Sequence, residues 1–352
     1  MKKNTMSKKD IILKILKRLF ISNTIIFILF ILLIYLFEFD FLYYVLWFCI
    51  LYNSLKIVLK VLYRSGIITI KGRILRQFLS RNSNIYRRLY AMLFRLYFQN
   101  VYKRSVKKSR NLKLNDKPRD KKIVVSLTTF GERIFQVDLV IKSLLKQKVK
   151  ADVIVLYLDE KEFNLKNIPA ELKMLNDKKL LEIRFCYNYK SFKKFIPVFK
   201  GEYKNEIIIT ADDDLMYMPT FIKKLYNKYQ KDKSRIPCYI IWDKNVNIDY
   251  DVIGTGLGAL FTIESIHKDL LNYKLVEKLT DTNDDLLVSF LLDRKGVKLN
   301  PVFKKIADSW YVLFVQTLPH ALDKTALWQT NNMEKRDQDI QNIKNHYRNL
   351  KV

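Results

Sequence analysis

From Ile123 onward the chain repeats one pattern, a short apolar run followed by a stretch with helical spacing. "IVVSLTT" (123–129), "VIVLYL" (153–158), "LEIRF" (181–185) and "EIIIT" (206–210) read as strands. "VDLVIKSLLKQ" (137–147) and "IPAELKML" have helical spacing, and "PTFIKKLYNKY" places Pro219 at a natural helix start. Strands this apolar cannot leave a face in water. Alternating with helices, they predict an α/β fold, Rossmann-like, whose mostly parallel sheet carries helices on both faces. Ligands of such sheets bind beyond the carboxyl ends of the strands.

"IIITADDDLMYMP" (207–219) puts three carboxylates, Asp212, Asp213 and Asp214, at that end of the fourth strand. Adjacent like charges repel, so the triplet calls for a cation. Two carboxylates one residue apart can turn toward one site and ligate a hard divalent ion, Mn²⁺ or Mg²⁺, that also takes phosphate oxygens. The competing role is an Asx turn or helix cap, for which one Asp suffices. Other acid-rich patterns fit less well, since a calcium loop needs alternating ligands, a Gly at its sixth position and a Glu at its twelfth. "GTGLG" (254–258) is not a dinucleotide fingerprint, and no Walker A sequence occurs.

The N-terminal third has a different chemistry. The first 115 residues hold 23 Lys and Arg against 3 Asp and Glu, so most of the net charge of +29 lies there. Residues 19–37, "LFISNTIIFILFILLIYLF", carry no charge and as a helix reach roughly 28 Å, close to the thickness of a bilayer core. "FLYYVLWFCILYNSL" (41–55) is shorter and can lengthen past Lys56 and Lys60 by snorkelling. Basic residues flank both ends, and only Glu38 and Asp40 lie between. A transmembrane hairpin with both termini on the cytoplasmic side is therefore expected over 19–62, after a basic N-terminus (1–18). One span plus an interfacial helix is the alternative.

No acidic residue occurs from Phe41 to Asn115. "RILRQFLSRNSNIYRRLYAMLFRLYFQNVYKR" interleaves Arg with Leu, Phe and Tyr, the composition of a helix lying on anionic lipid. Nucleic acid would suit the same composition, but a membrane span directly upstream favours lipid. The basic juxtamembrane region and linker are expected over 63–120, and a catalytic domain over 121–352. Cys49, Cys186 and Cys238 are widely spaced, with neither a zinc pattern nor a CxxC pair, and read as free thiols of a reducing compartment. Abundant Lys, Ile and Asn fit an AT-rich bacterial genome.

"VVSLTTFGERI", "DVIVLYLDEKEF", "KSFKKFIPVFK" and "IIITADDDLMYMPTFIKKL", in this order, resemble bacterial GT-A-type glycosyltransferases of surface polysaccharide and lipopolysaccharide assembly. The resemblance spans roughly residues 121 to 345. It implies a GT-A fold and a nucleotide-diphosphate sugar donor flanked by Thr128, Thr129 and Arg133. Asp159 would lie near the base or ribose, and Lys194 near the diphosphate. Asp212 would face the ribose or the metal and Asp214 the metal, with Asp213 completing the nucleotide site. Gly256 and Gly258 of "GLGALF" would line the sugar pocket. In "TNDDLLVSFLL" (282–292) Asp285, and after it Asp284, would accept the acceptor hydroxyl's proton. Asn283 or Asp284 serving only as a helix cap is the plainer alternative. His320 is a further candidate ligand for metal or phosphate.

Two departures concern the acceptor pocket. Leu286 and Leu287 stand where the family has an aromatic, and "FTI" (261–263) stands where it has "YPP". The expected activity is metal-dependent, inverting transfer of a sugar to a glycan or lipid-linked acceptor at the cytoplasmic face of the bacterial inner membrane. The alternatives are a nucleotidyl- or phosphosugar transferase on the same fold, or a non-catalytic membrane-surface binding protein.

Overall fold

The computed structural model describes residues 103–242, 248–280, 282–303 and 333–348, together with Ser54. The expected hairpin over 19–62, Cys49, most of the juxtamembrane region and His320 lie outside the described residues. Among the described residues no helix is long and apolar enough to cross a membrane. The chain divides into two compact units, Met1–Tyr90 and Ala91–Val352, and the described fold belongs to the second.

That unit opens with α1 (Lys103–Lys107), whose Val106 is buried. Four strands follow: β1 (Ile123–Thr128), β2 (Val153–Asp159), β3 (Glu182–Cys186) and β4 (Ile207–Thr210). Between them lie α2 (Val137–Leu145) and α3 (Ala170–Asp177), as the alternating pattern predicts, and the short α4 (Ile196–Lys200), for which it predicts no helix. After β4 come α5 (Phe221–Lys231), β5 (Arg235–Cys238), β6 (Ile241–Trp242), β7 (Val252–Ile253) and β8 (Ala259–Phe261). The remaining elements are α6 (Tyr273–Leu279), α7 (Asp284–Arg294), β9 (Lys298–Pro301) and α8 (Met333–Arg348).

Seven strands form one sheet in the order β3-β2-β1-β4-β8-β5-β9, and β6 and β7 form a separate two-stranded ribbon. Only β8 runs against its neighbours, β4 and β5. The sheet is thus mixed but mostly parallel.

Period-two alternation divides the core between the two faces. Ile123, Val125 and Leu127 of β1, with Ile154 and Leu156 of β2, pack in one cluster with Ile141 of α2, Leu172 of α3 and Leu225 of α5. Val124, Val155 and Ile208 point the other way, toward Ile196 of α4, Leu287 of α7 and Ile343 of α8. Helices therefore cover both faces. This is why the central strands β1, β2 and β4 are buried along their length rather than at every second residue.

One boundary differs from expectation. Helix α5 begins at Phe221 rather than at Pro219. Pro219 instead offers its carbonyl to the Lys148 N–H at 2.7 Å. The buried Gln147 side chain donates to the Met218 carbonyl at 2.9 Å and accepts from the Ile222 N–H at 3.2 Å. A glutamine from the end of α2 thus satisfies a helix-start donor that local sequence would have left to a cap.

Candidate functional site

Strand β4 ends at Thr210 and delivers the acid triplet after Ala211, whose N–H still bonds the Ser126 carbonyl at 3.1 Å. The three carboxylates then diverge. Asp213 is buried, and its oxygens accept from Thr129 Oγ1 at 2.6 Å and from Arg133 Nη1 at 2.9 Å. Asp214 pairs with Arg133 Nη2 at 2.7 Å. Asp212, the most exposed of the three, pairs with Lys194 Nζ at 2.7 Å. Arg133 and Lys194 are therefore the cations that the triplet required within the chain itself.

Arg133 stands on a tight 3-10 turn, Gly131–Phe135. Gly131 takes φ +52°, a left-handed conformation that glycine adopts without strain, and its N–H bonds Glu162 Oε1 at 2.6 Å. The guanidinium lies 5.1 Å from the centre of the Phe130 ring, and its buried Nε has no hydrogen-bond partner among the described residues. Lys194 arrives on a second turn, Lys190–Lys194, anchored where Ser126 Oγ donates to the Lys194 carbonyl at 2.8 Å.

Lys194 also reaches Asp284 Oδ2 at 2.9 Å, so one ammonium joins the triplet to the acid pair at the start of α7. Asp285 accepts from the Thr255 N–H at 2.8 Å and from Trp242 Nε1 at 3.0 Å. The Thr255 hydroxyl lies 2.6 Å from Asp284 Oδ2 and 2.6 Å from Asp285 Oδ1. Asn283 occupies the cap position of α7 without a side-chain cap bond, so neither it nor Asp284 serves as the cap considered above. The pair sits instead at the positive end of the helix dipole.

The segment between the two acid groups is placed by Gly256. Its carbonyl accepts the Asp212 N–H at 3.2 Å, and the same N–H lies 2.8 Å from the Tyr217 hydroxyl. A Cβ at Gly256 would fall 1.6 Å from Asp212 Oδ2. Gly258, at φ +116°, packs against the buried Phe221 ring, which a Cβ would meet at 2.2 Å. Both glycines thus permit close approach, one of a carboxylate and the other of a core ring.

Burial sets the electrostatics. It pushes the Asp213 carboxyl up to about 7 against the pull of Arg133, and together with the Asp212 charge it raises Asp214. Burial and the neighbouring Asp284 push Asp285 up to about 6. Burial works against the charge of Lys194, but Asp212 and Asp284 outweigh it and raise its pKa. At the adjacent Lys193 burial wins and the pKa falls, although the Asp159 and Asp213 charges oppose it.

Arg133, Lys194, Asp212, Asp213, Asp214, Gly256, Asp284 and Asp285 therefore converge. Thr128 and Asp159 stand on the same edge of the sheet but are engaged locally. Thr128 Oγ1 bonds the Tyr157 carbonyl at 2.9 Å, and Asp159 Oδ1 accepts the Lys161 N–H at 2.9 Å. Sequence reasoning missed Thr255, Trp242, Tyr217 and the burial of Lys193. Thr255 adjoins the glycine segment, which is a usable signal. Trp242 lies 43 positions from its partner Asp285, and no local pattern marks it.

Among the described residues no group of three or more His, Cys, Asp or Glu side chains is arranged to hold a metal ion by itself. The ion pairs fall on Asp212 Oδ1 and Asp214 Oδ2, leaving Asp212 Oδ2 and Asp214 Oδ1 outside them. These two oxygens are hard donors of the kind Mg²⁺ or Mn²⁺ takes when substrate phosphates and water complete its shell.

No family model matches the chain, and no curated protein matches it. Among solved structures it is similar to 4-diphosphocytidyl-2C-methyl-D-erythritol synthase, with TM-score 0.33 and 11% identity over 56% of this chain and 100% of that one. A likeness of that degree carries no argument about activity.

Proposed function

We propose that this chain is a glycosyltransferase that moves a sugar from a nucleotide-diphosphate sugar to a glycan or lipid-linked acceptor, with inversion. The observation that carries the reading is the single buried ammonium of Lys194, shared by Asp212 and Asp284. It brings an acid group at the end of a strand and an acid pair at the start of a helix to one place, as a donor site beside an acceptor site requires. Of five carboxylates there, Asp212, Asp213, Asp214 and Asp284 have Arg133 or Lys194 as ion-pair partners. The excess negative charge favours a further divalent cation, held by Asp212 and Asp214.

Bound there, Mn²⁺ or Mg²⁺ would offset charge on the departing diphosphate. The residues of the chain supply the rest. Arg133 holds Asp213 and Asp214 in fixed directions, and Lys194 holds Asp212 while presenting positive charge toward the phosphates. Asp285 accepts the proton of the acceptor hydroxyl as that oxygen attacks the anomeric carbon. Thr129, Thr128 and Asp159 form the nucleotide side of the cleft, with Gly256 and Gly258 on the sugar side. The apolar and basic N-terminal third supports a site held at the cytoplasmic face of an anionic membrane.

The test is nucleotide release from UDP-, GDP- and CMP-sugars by the full chain, with Mn²⁺ or with chelator. Release that needs metal and is lost in Asp214→Ala is expected. Full metal-dependent turnover by Asp214→Ala would overturn the reading. A product carrying phosphate from the donor would assign nucleotidyl or phosphosugar transfer instead.

A further inference from the structure

A threonine hydroxyl owns one hydrogen. Thr255 Oγ nevertheless makes two equally short contacts with carboxylate oxygens, 2.6 Å to Asp284 Oδ2 and 2.6 Å to Asp285 Oδ1. It can donate along only one of them. For the other to be a hydrogen bond rather than an approach of two lone pairs, that carboxyl must carry a proton and donate to the threonine.

The surrounding donors decide which carboxyl that is. Lys194 Nζ, 2.9 Å from Asp284 Oδ2, fixes the Asp284 end as the carboxylate. Asp285 has only neutral donors among the described residues, the Thr255 N–H at Oδ1 and Trp242 Nε1 at Oδ2. Asp212 shares the same ammonium. The charges around the pair among the described residues therefore leave the proton on Asp285.

We propose that Thr255 joins Asp284 and Asp285 into one acid unit with a single shared proton, held as Asp285 Oδ1–H to Thr255 Oγ and Thr255 Oγ–H to Asp284 Oδ2. Thr255 is then a positioning residue that fixes which of the two acids exchanges protons. The value of about 6 at Asp285, raised by burial and by Asp284, agrees with this order. The use of the unit, though not its existence, rests on the proposed transfer reaction. Once the unit has released its own proton, the acceptor O–H bond breaks and its proton forms the Asp285 Oδ1–H bond. The electron pair stays on the acceptor oxygen, which bonds the anomeric carbon while the bond to the diphosphate breaks and leaves with its pair.

The experiment is a carboxyl NMR titration of the full chain labelled with ¹³C at the aspartate side-chain carboxyl, with Asp285→Asn identifying the Asp285 signal. In the wild type that signal should titrate near pH 6. In Thr255→Val, where the protonated form loses the acceptor it donates to, it should titrate roughly half to one pH unit lower. Thr255→Ser should restore it, and Thr255→Ala replaces the valine variant if that does not fold. The acid limb of kcat/KM for nucleotide-sugar turnover should move with the titration. An unmoved titration in both Thr255→Val and Thr255→Ala, or a serine variant that behaves like valine, overturns the proposal. The titration needs no donor sugar, so a chain that turned over no nucleotide sugar would sink the proposed function while the shared proton remained directly measurable.

Discussion

Gly256 leaves no room for a side chain beside Asp212, because a Cβ would fall 1.6 Å from Asp212 Oδ2 and 1.9 Å from its Cγ. Gly256→Ala must therefore push the whole carboxylate off Lys194. Asp212 borders solvent and can swing outward, so folding should suffer little. A displacement of about 1 Å at a positioned group costs on the order of 100-fold in rate, and turnover should fall by that much while the melting temperature changes by only a few degrees. Gly258→Ala should behave in the opposite way, since the obstructed Phe221 ring is buried and φ is +116°. Thermal melts paired with turnover assays separate the two.

Lys194→Met removes the cation between two acid groups. Asp284 is then left buried with an uncompensated charge, and breaking such a pair costs about 3 kcal/mol, the low end of the usual range because Asp212 is solvent-exposed. Urea denaturation should show this loss at neutral pH. Lys194→Met with Asp284→Asn should recover part of it. Equal stability of the single variant and the wild type would refute the bridging role.

Asp213 makes stability depend on pH. Its ordinary value is 3.8, and burial raises it to about 7 in the folded chain. Between those values the folded form keeps a proton that the unfolded form has released. Raising the pH therefore favours unfolding, and stability should decline from about pH 4 to about pH 7 on account of this group. Melting temperatures recorded across that window in chelator should show the decline, and Asp213→Asn should flatten it.

Trp242 contributes a neutral donor to Asp285 Oδ2 at 3.0 Å. Trp242→Phe keeps an aromatic ring and removes that hydrogen bond, which disfavours the ionised carboxylate. The acid limb of the pH–rate profile should shift upward from about 6, with the alkaline limb unchanged. A fall in rate without any change in the profile would mean that the indole only packs.

Much of this protein was already determined by its sequence, because the relevant forces act over a few residues. Unbroken apolar runs such as Ile207–Thr210 can only be strands covered on both faces, and the Asp212–Asp214 triplet had to follow one of them. The demand for a cation was equally legible, since adjacent like charges repel whatever the fold. Which cation answers it was decided by tertiary structure alone. Arg133 lies about 80 positions before the triplet, and Lys194 reaches it from a separate turn anchored on Ser126 of β1. The reversed direction of β8, the delayed start of α5 at Phe221 and the contact of Trp242 with Asp285 have the same origin. Each depends on a partner distant in sequence, and only packing of the sheet brings those partners within hydrogen-bond range.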